Sequence, residues 1–128
     1  MSKKNKTKSQ TKKSPVSGYK FIKEVGGIEE YELTSNGLRV LYHNRPGTGV
    51  VTSNITYLVG AVDEAKGESG LAHMLEHMLF KPTTFDVKAR IHEGAAMRFE
   101  RETGCILNAN TWKDRTTYFF SYPVEHID

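Results

Sequence analysis

The sequence predicts an α+β fold in which helices pack on a largely antiparallel sheet. Three observations support this prediction. Two strand-like runs flank a tight-turn signal near residue 36, apolar and polar residues alternate from residue 51, and apolar residues recur at helical spacing after residue 70. With 128 residues, the chain is long enough for one hydrophobic core and too short for two.

The first predicted element is a β-hairpin. Strand-like runs at Glu30–Thr34 and Leu38–His43 flank Ser35-Asn36-Gly37, and Asn-Gly at such a position tolerates the positive φ values of a hairpin turn. A half-buried strand is predicted to follow. Its apolar face holds Val51, Ile55, Tyr57 and Val59, and its polar face holds Thr52, Asn54 and Thr56.

Two helices and a second hairpin complete the predicted order. The first helix covers residues 70–80, and the second runs from Asp86, a good N-cap, to Gly104, a good C-terminal stop. Strands at Ile106–Thr111 and Thr116–Tyr122 follow, joined by a polar turn. The apolar stripe of the second helix consists of Val87, Ile91, Ala95 and Phe99.

Charge divides the chain into a tail and a folded part. Residues 1–20 contain seven lysines and no acidic residue, whereas residues 21–128 contain 11 basic and 15 acidic residues. The tail is predicted to be disordered, and residues 21–128 to form the domain. A nucleic-acid partner is not expected, because no aromatic residue interleaves these lysines before Tyr19.

Composition also indicates the compartment. No run approaches the roughly 18 apolar residues of a membrane-spanning helix, so no membrane partner is expected. The single cysteine, Cys105, excludes an internal disulfide, and the tail has no secretory hydrophobic segment. These features favour the cytoplasm and leave an organelle open.

Two histidines and a glutamate share one face of the first helix. A helical wheel places His73, Glu76 and His77 opposite the apolar stripe of that helix. One helical turn, a rise of about 6 Å, separates the histidines, so both imidazoles can reach one divalent metal such as zinc. The alternative is that these are ordinary polar residues on an exposed face. The stripe opposite them consists of Leu71, Met74, Leu75, Met78 and Leu79.

His73-x-x-Glu76-His77 is the inverted zinc motif of the inverzincin peptidases. Its surroundings resemble the family of pitrilysin, insulin-degrading enzyme and mitochondrial processing peptidase over residues 30–122. The family's preceding Gly-x-x-x-Glu is matched by Gly60 and Glu64. Further matching residues are Phe80, Lys81 and Thr83 after the helix, and Asn108, Ala109, Thr111, Asp114, Thr116 and Tyr118 in a later block.

The resemblance implies a zinc-dependent endopeptidase that hydrolyses peptide bonds with a metal-activated water. His73 and His77 would be the metal ligands and Glu76 the general base. Asn108 and Ala109 would bind substrate, in an edge strand to which the peptide adds as a further strand. Asn108 has an alternative role as a residue that caps backbone groups. The implied partners are a peptide or protein substrate and a second homologous domain or subunit.

Two departures from the family pattern affect the functional prediction. Pro82 stands where the family has glycine, and the family's third ligand, a glutamate on a later helix, has no counterpart in the 51 residues after His77. The sequence therefore predicts the N-terminal part of a peptidase domain, apparently truncated, with its third ligand outside this chain. One alternative is a non-catalytic or truncated homologue that acts as a subunit.

A second alternative is a metalloenzyme like S-ribosylhomocysteine lyase, which has the same inverted motif and a cysteine as third ligand. Cys105 precedes the Asn108 strand, which is too early for that match. We therefore predict that Cys105 is a small buried thiol.

Overall fold

The structure is a computed structural model, and it describes residues 16–83, 88 and 93–127. The chain forms two compact units, one up to Gly47 and one from Thr48 onward. The strands are β1 (Tyr19–Val25), β2 (Ile28–Leu33), β3 (Arg39–His43), β4 (Val50–Tyr57), β5 (Ile106–Thr111) and β6 (Thr116–Pro123), and the helices are α1 (Leu71–Met78) and α2 (Ala95–Thr103).

The first unit is a three-stranded antiparallel sheet in the order β1-β2-β3. The predicted hairpin is confirmed as β2 and β3, and Gly37 in its turn has φ +75°. Strand β1 was not predicted. Its turn into β2 contains Gly26 and Gly27, both with positive φ, and Gly-Gly is itself a hairpin signal.

The boundary predicted between tail and domain also needs correction. Tyr19 and Lys20 were assigned to the tail, but both belong to β1 and pair with β2. Residues 1–15 lie outside the described residues, so disorder of the tail stays a prediction.

The second unit is an antiparallel sheet in the order β4-β6-β5, with β5 and β4 at its edges. The predicted strands from Val51, at Ile106–Thr111 and at Thr116–Tyr122 are confirmed, with differences of one residue at most at the observed ends of β5 and β6. Helix α1 packs on β5 and β6, and α2 packs on β5. The α+β prediction is therefore confirmed.

The second predicted helix is shorter than expected where the structure describes it. A continuous helix from Asp86 to Gly104 is wrong, because α2 begins at Ala95 and its N-cap Gly94 is extended, at φ −64° and ψ 154°. A Cβ on Gly94 would lie 2.4 Å from the carbonyl oxygen of Phe80, so a close backbone approach interrupts the helix there. Gly104 ends α2 in the left-handed conformation, as predicted. The predicted start at Asp86, with Val87 and Ile91, lies outside the described residues.

Little apolar surface is buried within the described part of the chain. Its buried apolar side chains are Tyr31, in the first unit, and Cys105, in the second. The predicted half-buried face of β4 is more open than expected, since Ile55 and Tyr57 are 46% and 56% exposed. The apolar stripe of α1 is likewise 49–61% exposed. None of the described helices is long and apolar enough to cross a membrane.

Candidate active site

Helix α1 begins at a glycine and is capped by a distant carboxylate. Gly70 has φ +88°, a left-handed conformation that suits glycine, and it offers no side chain to the free N–H groups of the first turn. Glu64 supplies the acceptors: its Oε2 accepts from the Gly70 N–H at 2.8 Å and its Oε1 from the Ala72 N–H at 2.9 Å. Glu64 therefore fixes the start of the turn that contains His73.

The loop before this helix is held against the turn between β5 and β6. The N–H groups of Ala61 and Val62 donate to the carbonyl oxygens of Trp112 and Lys113 at 3.1 and 2.9 Å. At Gly60 a Cβ would lie 2.4 Å from the Trp112 carbonyl oxygen, so this approach requires glycine. The loop thus connects the metal-motif helix to the end of β5.

His73 and His77 lie side by side on the exposed surface of α1. Their Nε2 atoms are 3.0 Å apart, and their ring centroids are 4.6 Å apart. Two nitrogens bound at about 2.0–2.1 Å to one tetrahedral zinc are about 3.3 Å apart, so a small side-chain movement lets both bind one ion. The two residues therefore fit a divalent metal as a pair of ligands.

Glu76 faces the sheet, although the helical wheel groups it with the histidines. Its side chain is 7% exposed, and the Thr111 hydroxyl donates a hydrogen bond of 2.5 Å to its Oε2. Tyr118 is also influenced by this carboxylate: burial raises the pKa of the Tyr118 phenol above 10, and the negative charge of Glu76 and then Tyr57 raise it further.

Strand β5 places Asn108 and Ala109 at an open edge of the sheet. Among the described strands its one neighbour is β6, in which Tyr118 is paired with Ala109. The Ala109 N–H donates to the Asn108 side-chain oxygen at 2.9 Å, so Asn108 already caps this backbone donor. The edge position predicted for both residues is confirmed, and their contact with substrate stays a prediction.

A groove of about 410 Å³ opens beside the N-terminal half of α1. It lies between the helix start, the preceding loop and the end of β5. The residues that line it are Ala61, Glu64, Ser69, Gly70, His73, Thr111, Trp112 and Lys113.

The structure brings together His73 and His77 on the exposed surface of α1, whereas Glu76 of the same helix is buried against the sheet. Cys105 is buried, at 4% exposure, as predicted. Within the described ranges, no three His, Cys, Asp or Glu side chains form a group that could hold a metal ion. Two residues that shape the site have no role assigned from the sequence: Glu64, which caps α1, and Thr111, which donates to Glu76. Their places in the matched blocks were a signal, but a motif does not show which hydrogen bonds its residues make.

Comparison with known proteins identifies the class to which this chain belongs. Residues 39–128 match the family model described as Insulinase (Peptidase family M16). The chain therefore belongs to this family of peptidases.

Individual relatives agree with this assignment. The zinc protease PqqE of Helicobacter pylori is 38% identical over 96 residues, which are 73% of this chain and 20% of that protein. The mitochondrial-processing peptidase subunit beta of Blastocladiella emersonii is 34% identical over 84 residues, covering 66% of this chain and 17% of that subunit.

A solved structure supports the fold. The crystal structure of a protease from Helicobacter pylori matches with a TM-score of 0.64 and 34% identity, over 77% of this chain and 22% of that one. The chain thus spans about one fifth of the length of these relatives.

Proposed function

We propose that this chain provides metal-binding and proton-transfer residues of a zinc-dependent endopeptidase. The observation on which the proposal rests is the geometry of α1, in which two imidazole nitrogens lie 3.0 Å apart and the glutamate between them in the sequence is held by Thr111. Membership of a peptidase family and the names of zinc proteases among its relatives support the reaction class.

His73 and His77 would hold the zinc ion, which when bound acts as a Lewis acid toward water and the peptide carbonyl. Glu76 would act as general base, taking a proton from water and later delivering it to the leaving amine. One oxygen of Glu76, Oε2, accepts from Thr111, and among the described residues no group donates a hydrogen bond to Oε1. Oε1 is therefore the oxygen available for proton transfer. A further ligand would be a water or a group from another segment or subunit.

The peptide substrate would be bound as an added strand along β5. This strand is an edge strand, and its outer backbone groups can pair with an extended chain. Asn108 and Ala109 lie in this strand, three and two residues before Thr111, its last residue. Because the Thr111 hydroxyl bonds to Glu76, a peptide bound along this edge would pass close to that carboxylate.

Zinc binding tests the proposal directly. We expect the purified chain to bind zinc and each of His73→Ala and His77→Ala to lose at least most of it, because one remaining imidazole is a poor site. Equilibrium dialysis followed by metal analysis measures this. His126→Ala is the matched control, since His126 lies in a separate turn of the same unit, and it should bind zinc like wild type. Equal zinc content in all four proteins would contradict the metal site.

A second candidate is a non-catalytic subunit that retains the motif. The observation that favours it is the exposure of the apolar stripe of α1, which is the kind of surface that contacts another polypeptide. Zinc binding without any peptide hydrolysis, by the chain alone and with its copurifying partner, would support this candidate. The lyase-like alternative receives no support, because buried Cys105 forms no metal group with the histidines among the described residues.

A further inference from the structure

Thr111 occupies a position that links the end of the edge strand to the buried carboxylate of α1. It is the last residue of β5, and its hydroxyl lies 2.5 Å from Glu76 Oε2. The two residues are 35 positions apart in the sequence, so this hydrogen bond joins two separate elements of the unit.

The donor is itself held in place by its strand partner. Thr111 pairs with Thr116 across the β5–β6 ladder, and the Thr116 hydroxyl lies 3.5 Å from the Thr111 hydroxyl oxygen. Thr116 is 7% exposed and donates to the Val59 carbonyl oxygen at 3.0 Å. Because the Thr116 proton goes to Val59 and the Thr111 proton goes to Glu76, no hydrogen bond joins the two hydroxyls. What holds Thr111 beside Glu76 is the pairing of its backbone with Thr116 in the ladder.

A threonine hydroxyl has one proton, and here that proton is given to one named oxygen of the carboxylate. The hydrogen bond to a charged acceptor is short and directional, so it selects one orientation of the Glu76 carboxylate. The other oxygen, Oε1, is then left without a donor among the described residues. A glutamate side chain without this bond would lose the preference for one rotamer, because three torsions separate its carboxylate from the backbone.

We propose that Thr111 is a positioning residue for Glu76, which orients the carboxylate so that Oε1 rather than Oε2 receives the proton. The inference rests on the proposed function, since it concerns how the general base is held. It adds a residue whose contribution is orientation and not metal binding, because the structure gives Thr111 no hydrogen bond to His73 or His77.

The experiment measures the rotamer of Glu76 in the metal-free chain, so it does not depend on zinc or on hydrolysis. The chain is prepared with carbon-13-labelled glutamate, and the Glu76 resonances are identified by their loss in Glu76→Gln. Three-bond couplings along the Glu76 side chain at pH 7.5 are then compared in wild type, Thr111→Val and Thr111→Ser. Thr52→Val is the matched control, because the Thr52 hydroxyl forms its hydrogen bond with Ser121 in the same sheet, whereas the hydroxyl bonded to Glu76 is that of Thr111.

We expect couplings of a single rotamer in wild type, Thr111→Ser and Thr52→Val, and rotamer-averaged couplings in Thr111→Val. Zinc affinity should change by less than about tenfold in all of them, since second-shell effects of that size need a contact with a ligand. If Thr111→Val does not fold, Thr111→Ala replaces it in the comparison. Two results would overturn the inference. One is a single Glu76 rotamer in folded Thr111→Val or Thr111→Ala, and the other is rotamer-averaged Glu76 couplings in Thr111→Ser. Failure of zinc binding in wild type would overturn the proposed function alone.

Discussion

Among single residues, Asn108 has the role that is most open to a direct test. Its side-chain oxygen accepts from the Ala109 N–H, which is one of the two contacts the sequence left as alternatives. If this bond competes with an incoming peptide, Asn108→Ala should free the donor. We expect peptide affinity to rise about 2- to 10-fold, the value of one net hydrogen bond.

Isothermal titration with a non-hydrolysable extended peptide measures this change. Ala109→Pro removes the same donor and should weaken binding, so the two variants should move the affinity in opposite directions. Weaker binding in Asn108→Ala would instead show that its amide contacts the peptide directly.

Ionisation of Tyr118 should make the stability of the second unit depend on pH in the alkaline range. Its phenol has a pKa raised above 10, by burial first and then by the charges of Glu76 and Tyr57. The folded chain thus holds this proton more tightly than the unfolded chain. Its contribution to stability is present in full below the unfolded pKa near 10 and is lost as pH rises through the higher folded pKa.

We therefore expect thermal stability to fall more steeply in wild type than in Tyr118→Phe as pH rises above the unfolded pKa near 10. Melting temperatures followed by circular dichroism over this range provide the comparison. Parallel curves for the two proteins would show that ionisation of this phenol is not coupled to folding.

At the scale of elements, the start of α1 depends on Glu64. One carboxylate satisfies two backbone N–H groups at 2.8 and 2.9 Å, and the N-cap itself is a glycine without a side chain. Glu64→Ala should lower the free energy of unfolding by about 1–2 kcal/mol, the usual value of a lost helix cap. Because His73 lies in the first turn, zinc affinity should fall as well.

Urea denaturation and zinc titration measure the two effects. Glu68→Ala is the matched control, because the Glu68 carboxylate accepts one longer bond of 3.3 Å from the Ala65 N–H, outside the helix. If Glu64→Ala changed stability no more than Glu68→Ala, the capping role would be wrong.

The elements that the sequence predicts well are those with a local cause. The Asn36-Gly37 turn fixes a hairpin, and the alternation from Val51 fixes a strand, without reference to the rest of the chain. The interruption at Gly94 has a distant cause, the backbone of Phe80, so helical periodicity alone extends α2 too far. The burial of Glu76 is also tertiary, because it depends on where β5 places Thr111.

At the scale of the whole molecule, few apolar side chains are buried in the described part of the chain, including around the candidate site. The apolar stripe of α1 stays about half exposed or more, and the chain spans about one fifth of the length of its relatives. What the sequence predicts best is therefore the motif and its helix. The burial of the surrounding apolar residues is not predicted by periodicity, because it depends on which surfaces meet.

The central claim is that Glu76 transfers protons beside a zinc ion held by His73 and His77. Glu76→Gln retains the shape and one acceptor but cannot take up a proton at neutral pH. Measured on one preparation of the zinc-loaded protein with its copurifying partners, bound zinc should stay near wild type. Peptide hydrolysis should fall about 10²–10⁴-fold, the usual effect of losing a positioned general base. Full zinc with unchanged hydrolysis would contradict the general-base role, and zinc lost together with hydrolysis would make Glu76 a support of the metal site.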